Sequence, residues 1–121
     1  MMAAIESDKI KVELNVDKQN RHQLGHRLYE EYKKKNLQKG LPIPSYTILD
    51  NDELNALIIQ KAGKGYLLVD KKGKWLNKEV IDFDKTVGKV YTDGRFIETK
   101  WGKVHYSKTG SHVVPKKEEN K

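Results

Sequence analysis

Apolar and polar residues alternate near the start of the chain. Ile10, Val12, Leu14 and Val16 are separated by Lys11, Glu13 and Asn15. A period of two over seven residues predicts a strand with one buried face. The run Lys18-Gln19-Asn20-Arg21-His22 breaks it. From Leu24 to about Leu37 the period lengthens. Leu24, Leu28 and Tyr32 recur at four-residue spacing, with Glu30, Glu31, Lys33, Lys34 and Lys35 on the other faces, which predicts a helix. Gly40, Pro42 and Pro44 end it and force an extended linker. A second helix is expected from Asp50 or Asn51. Asp50 stands three residues before Glu53, as in a capping box, Leu54, Leu57 and Ile58 follow at helical spacing, and Gly63 and Gly65 close it.

Beyond Tyr66 the pattern changes to short apolar runs. Tyr66-Leu67-Leu68-Val69 is followed by a turn-like Lys71-Lys72-Gly73, then Trp75, Val80, Ile81 and Phe83. Asp93-Gly94 predicts a hairpin turn between Val87–Tyr91 and Phe96-Ile97. Lys103–Tyr106 and His112–Val114 predict a second hairpin, joined through Ser107–Ser111. The sum is an α+β chain, N-terminal helices packed on a C-terminal antiparallel sheet. Residues 1–9 read as a flexible N terminus, 10–115 as a single domain and 116–121 as a charged tail.

Composition narrows the function. Zero Cys excludes disulfides, thiolate catalysis and Cys-based metal sites. No apolar run approaches the roughly 20 residues of a membrane span. Charges stand where a signal peptide needs its apolar core, so no secretory signal of its own is expected, and the chain reads as a fragment of a longer protein. Residues 1–60 carry nine basic and nine acidic side chains. Residues 61–121 carry 15 basic against eight acidic, so the whole excess of +7 lies in the second half. Such asymmetry points to a polyanionic partner, an acidic inhibitor, or both.

The chemistry-bearing residues cluster in two places. His22 stands beside Lys18 and Arg21 at a break in the pattern. His105, Ser107, Thr109 and His112 stand in one hairpin, after Lys100 and Lys103. A turn near residues 108–110 sets His105 and His112 on adjacent strands near opposed positions. Imidazoles suit both proton transfers of RNA self-cleavage, in which the 2′-OH attacks the neighbouring phosphate. Cations and a hydroxyl supply the charge stabilisation, and neither metal nor cofactor is required. Simpler readings compete. Ser107 and Thr109 also suit a hairpin turn, and His26 is a bystander on the helix. Trp75 and Trp101 read as core or sheet-face residues before base-stacking platforms. Gly63-Lys64-Gly65 lacks the spacing of a phosphate loop.

Two blocks resemble the signatures of the polymorphic toxin type 50 domain. One is Lys18-Gln19-Asn20-Arg21-His22 with Gly25, and the other is His105-Tyr106-Ser107-Lys108-x-Gly110-x-His112-Val113-Val114-Pro115. Between them, Lys72-Gly73-x-Trp75, Val80–Phe83 and Val87–Lys89 are similar in order and spacing. The resemblance spans about residues 15–115. It implies a ribonuclease of the barnase–EndoU–colicin–RelE type, helices first and then a curved antiparallel sheet carrying the site. It also implies placement at the C terminus of a bacterial polymorphic toxin or a phage head-morphogenesis protein, and an immunity protein for toxin members. Delivery would put the domain in the cytoplasm of a target cell. Carried over, His22, His105, Ser107 and His112 become the catalytic candidates, with His22 and His105 as the acid–base pair. Lys18 and Lys103 become the main phosphate contacts, with Arg21, Lys100 and Thr109 as further substrate contacts. RNA, including tRNA, is the implied substrate, and an acidic immunity protein the implied partner. A non-catalytic nucleic-acid-binding or structural module in a phage head protein, contacting other virion proteins, is the alternative. One departure is His26, which follows Gly25 where the family commonly carries a small hydroxyl residue.

Overall fold

The computed structural model describes residues 1–118 and is α+β. Four helices, α1 (Met2–Glu6), α2 (Val16–Asn20), α3 (Arg27–Gln38) and α4 (Asn51–Lys61), come from the N-terminal half, which also contributes the short strand β1 (Tyr46–Thr47). Six strands follow: β2 (Tyr66–Val69), β3 (Trp75–Asp82), β4 (Gly88–Thr92), β5 (Arg95–Thr99), β6 (Trp101–Ser107) and β7 (Gly110–Lys116). They form two antiparallel sheets, ordered β2-β3-β6-β7 and β1-β4-β5, where the sequence pattern predicts one. Of the expected tail, Lys116 ends β7, and residues 119–121 lie outside the described residues.

Both expected hairpins form. Asp93 and Gly94 have φ of 51° and 82°, the two positive values that a tight two-residue turn between twisted strands needs. In the second hairpin Ser107 pairs with Gly110 across Lys108-Thr109, and His105 pairs directly with His112. Pleating then sorts the side chains by parity. Gly102, Val104 and Tyr106 on β6 and Val113 and Pro115 on β7 point inward and are buried. Trp101, Lys103, His105, Ser107, His112, Val114 and Lys116 share the opposite face. The inner face joins Ile10, Leu54, Ile58, Ile81, Phe83 and Val87 in the core. Gly102 is required by this packing, because a Cβ there would stand 2.5 Å from Val113 Cγ2 and 2.9 Å from Phe83 Cε2.

The helix signals hold in part. Asp50 caps α4 as expected, its carboxylate accepting from Glu53 N–H at 2.9 Å, and Leu54 and Ile58 are buried. Helix α3 starts three residues later than its pattern suggests. Gly25 takes a φ of +84°, and His26 becomes the N-cap, its Nδ1 accepting from Leu28 N–H at 3.0 Å. That is the work a Ser or Thr hydroxyl does at an N-cap, so His26 can replace a small hydroxyl residue here. The face that carries Leu24, Leu28 and Tyr32 is not the core face. Tyr29 is the buried residue. Its hydroxyl donates to Pro44 O at 2.9 Å, and its ring begins an aromatic chain through Tyr46 and Phe96 to Tyr91 that ties α3 to the three-stranded sheet.

The expected N-terminal strand is not one. Residues 10–15 pass the turn end of the β6–β7 hairpin but make only isolated bridges, Lys11 with Ser107 on β6 and Leu14 with Ser111 on β7. The alternation is nevertheless real: Ile10 is buried, and Val12 and Leu14 pack against the core. The ladder stops because Leu14 N–H turns to the Asn55 side chain, and because Asn15 caps α2 by accepting from Lys18 N–H. Residues 2–6, expected to be loose, form α1, and Met1, Ala4 and Ile5 pack on the core.

Candidate active site

His22 reaches the hairpin through two anchors. The side chain of Gln19 is fully buried and behaves like a strand backbone on the open edge of β7. Its Nε2 donates to Val113 O at 3.0 Å, and Val113 N–H donates to its Oε1 at 2.7 Å. This locks α2 to the edge beside His112. Thr47 on β1 then donates from both its N–H and its hydroxyl to His22 O, at 2.7 and 3.2 Å. His22 is 6% exposed, and its Nδ1 lies 3.3 Å from Ser45 O. A carbonyl only accepts, so Nδ1 carries the proton and the neutral ring keeps its free lone pair on Nε2.

The three imidazoles form one column. His22 and His112 stack with centroids 6.0 Å apart, and His112 and His105 with centroids 4.7 Å apart, all nearly parallel. Tyr32 meets His22 edge-on at 5.6 Å. The column forms one wall of a cleft of about 680 Å³, lined also by Arg21, Tyr32, Lys35 and Glu31. Parallel rings do not aim their in-plane lone pairs at a common point. Among the described residues no group of three or more His, Cys, Asp or Glu is placed to hold a metal ion.

Electrostatics keep these rings neutral. Burial pulls His105 down to about 4, helped by the Lys78 and Lys103 ammonium groups and by His22. Burial pulls His112 down to about 3, helped by His105, His22, Lys18 and Arg21. His22 is lowered by burial, against the Ser45 hydrogen bond that favours its charged form. His112 Nδ1 is buried and has no hydrogen-bond partner among the described residues. An unpaired buried acceptor or donor costs roughly 1–3 kcal/mol.

The other sequence-nominated residues divide. Lys18 Nζ donates to Ser107 Oγ at 3.1 Å, so the first block does touch the second. Ser107 Oγ also donates to Gly110 O at 2.9 Å and meets Thr109 Oγ1 at 3.1 Å, contacts that shape the turn. Thr109 stays at the hairpin tip, bonded to Asn15. Arg21 lines the cleft. Lys103 lies on the same face two residues from His105. Lys100 is not brought in: it lies in the β5–β6 connection, in a separate cleft with Glu98 and Trp101. Tyr32 and Lys78, which pairs across from His105, were not nominated by sequence. In the sequence Tyr32 reads only as one of the residues at four-residue spacing on α3, and Lys78 gives no signal beyond its charge.

This arrangement puts an open cleft, three neutral imidazoles and several cations on the outer face of a sheet in a small α+β domain. Residues 14–115 match the bacterial toxin 50 family, and the chain belongs to it. It is a toxin domain. No curated protein matches the chain, and no solved structure does.

Proposed function

We propose that this domain is a metal-independent endoribonuclease. The observation that carries the reading is the meeting of His22 with the His105–His112 pair in one cationic cleft, although some 80 residues of chain separate them. In this mechanism a neutral imidazole takes the proton of the 2′-OH, whose oxygen attacks the adjacent phosphorus. The bond from phosphorus to the 5′-oxygen breaks, and an imidazolium gives its proton to that oxygen. The products are a 2′,3′-cyclic phosphate and a free 5′-OH. His22 and His105 are the acid–base pair, His112 orients His105, and Lys18, Arg21 and Lys103 hold the phosphate.

The depressed imidazoles suit the base role directly. The acid must be charged on binding: a phosphodiester monoanion against the column favours the imidazolium and raises its pKa. Each positioned proton-transfer group is worth on the order of 10²–10⁴-fold. As a toxin, the domain acts in the cytosol of a target cell, and an acidic immunity protein covering the cleft neutralises it. Opposite charges would speed that association.

The test is incubation of the folded chain with RNA in EDTA, followed by analysis of the cleaved ends. Cyclic phosphate products are expected. Intact RNA under all conditions, from folded protein, defeats the proposal.

A further inference from the structure

Four residues along β6 from His105, the same outer face carries a second feature. Trp101 and Tyr66 lie with ring planes 18° from parallel and centroids 6.3 Å apart. With Val80 they line a cavity of about 270 Å³, rimmed by Lys103, Lys116 and Lys117. Tyr66 is 52% exposed. Trp75 differs: it packs toward the core against Tyr106, and its Nε1–H donates to Lys78 O.

Strand register orders the face into three rows. His105 and His112 pair with Lys78 in the first. Tyr66, Val80, Lys103 and Val114 form the second. Asp82, Trp101 and Lys116 form the third. Rows two residues apart are separated by roughly 6.5–7 Å, so the platform lies about 13 Å from the histidines. Lys103 stands between them, while exposed Asp82 sits at the far end. The cavity is smaller than the roughly 300–1,000 Å³ of small-molecule pockets and suits one planar ring. Flat aromatic faces beside a track of ammonium groups are how proteins hold single-stranded nucleic acid.

We infer that the Trp101–Tyr66 platform is a nucleobase-stacking subsite, which holds a flanking nucleotide of a single-stranded substrate whose phosphates run past Lys103 to the histidine column. The inference rests on the ribonuclease reading for its substrate, but the stacking can be measured without cleavage. Stacking needs an unpaired base, so duplexes should compete poorly.

The experiment is an anisotropy titration of the full chain, in EDTA at one fixed salt concentration, with a labelled single-stranded oligodeoxynucleotide. That probe lacks the 2′-OH and stays intact. Trp101→Ala should weaken binding about 5- to 100-fold, and Trp101→Phe, which keeps an aromatic face, should retain most of the affinity. Unchanged binding by Trp101→Ala overturns the subsite. So does a loss in Trp101→Phe as large as in Trp101→Ala. If the unaltered chain cleaves no RNA but binding still depends on Trp101, the subsite stands and the ribonuclease reading falls. If it cleaves RNA and Trp101→Ala changes neither binding nor cleavage, the subsite alone falls.

Discussion

The two faces of the four-stranded sheet both bury polar groups, and they treat them in opposite ways. On the inner side Glu79 is fully buried and fully satisfied. Its carboxylate accepts from Gly63 N–H at 3.0 Å, Gly65 N–H at 2.7 Å and the Tyr106 hydroxyl at 2.7 Å. On the outer side His112 Nδ1 is buried with no partner among the described residues, in a column of rings that burial and neighbouring cations keep neutral. A saturated buried group is a structural fastener, here tying the end of α4 to β3 and β6. An unsaturated one carries a desolvation cost of roughly 1–3 kcal/mol. The same hairpin therefore builds the core with one parity of residues and a reactive surface with the other.

The largest effects should separate the faces. His22→Ala and His105→Ala should each lower RNA cleavage per folded molecule by about 10²–10⁴-fold. Full activity in both variants would sink the two-histidine mechanism. Glu79→Leu should do the reverse. It leaves the buried Tyr106 hydroxyl and the part-buried Gly63 and Gly65 N–H groups without their acceptor and should cost about 2–3 kcal/mol, read as a lower denaturation midpoint, while cleavage per folded molecule stays near that of the unaltered chain. An unchanged midpoint would mean that the inner carboxylate is not a fastener.

Gly102→Ala tests how tightly the inner face is packed. Its methyl group would press on Val113 and Phe83, at a cost of about 1–3 kcal/mol in chemical denaturation. The outer face should show itself through pH. Folded His105 and His112 titrate near 4 and 3, against an ordinary 6.5. The unfolded chain therefore takes up protons that the folded chain refuses, and stability, full above about pH 6.5, should fall as pH drops toward 4. His112→Asn should flatten that part of the melting-temperature profile, and an unaltered slope would contradict the neutral column. The smallest effect belongs to neither face. His26→Ser should be nearly neutral by the same melting measurement, and His26→Ala should cost about 1 kcal/mol.

Local signals carried the hairpins well. Asp93-Gly94 names its turn, and the spacing from His105 to His112 set the two rings opposite each other before any tertiary contact was known. Signals that depend on what lies alongside were weaker. The alternation at Ile10–Val16 described burial correctly but not pairing, because hydrogen bonding was diverted to Asn55 and to the cap of α2. The apolar stripe on α3 could not say which neighbour it would face. Tyr32 met His22 instead of the core, and Tyr29 took the buried position. Gln19 lies in the first family-like block, yet its role is not legible there, since an amide can imitate a strand backbone only where an open edge is already in place.

The sequence by itself determined the α+β class, both hairpins, the pairing of His105 with His112 and the basic character of the second half. All of these follow from spacing and turn chemistry within a few residues. Only the tertiary structure decided that His22 completes the column, that Lys100 stands apart from it, that the strands divide into two sheets, and that Trp101 faces outward beside Tyr66. Those outcomes depend on contacts between segments tens of residues apart, which are set by packing and backbone satisfaction across the whole fold.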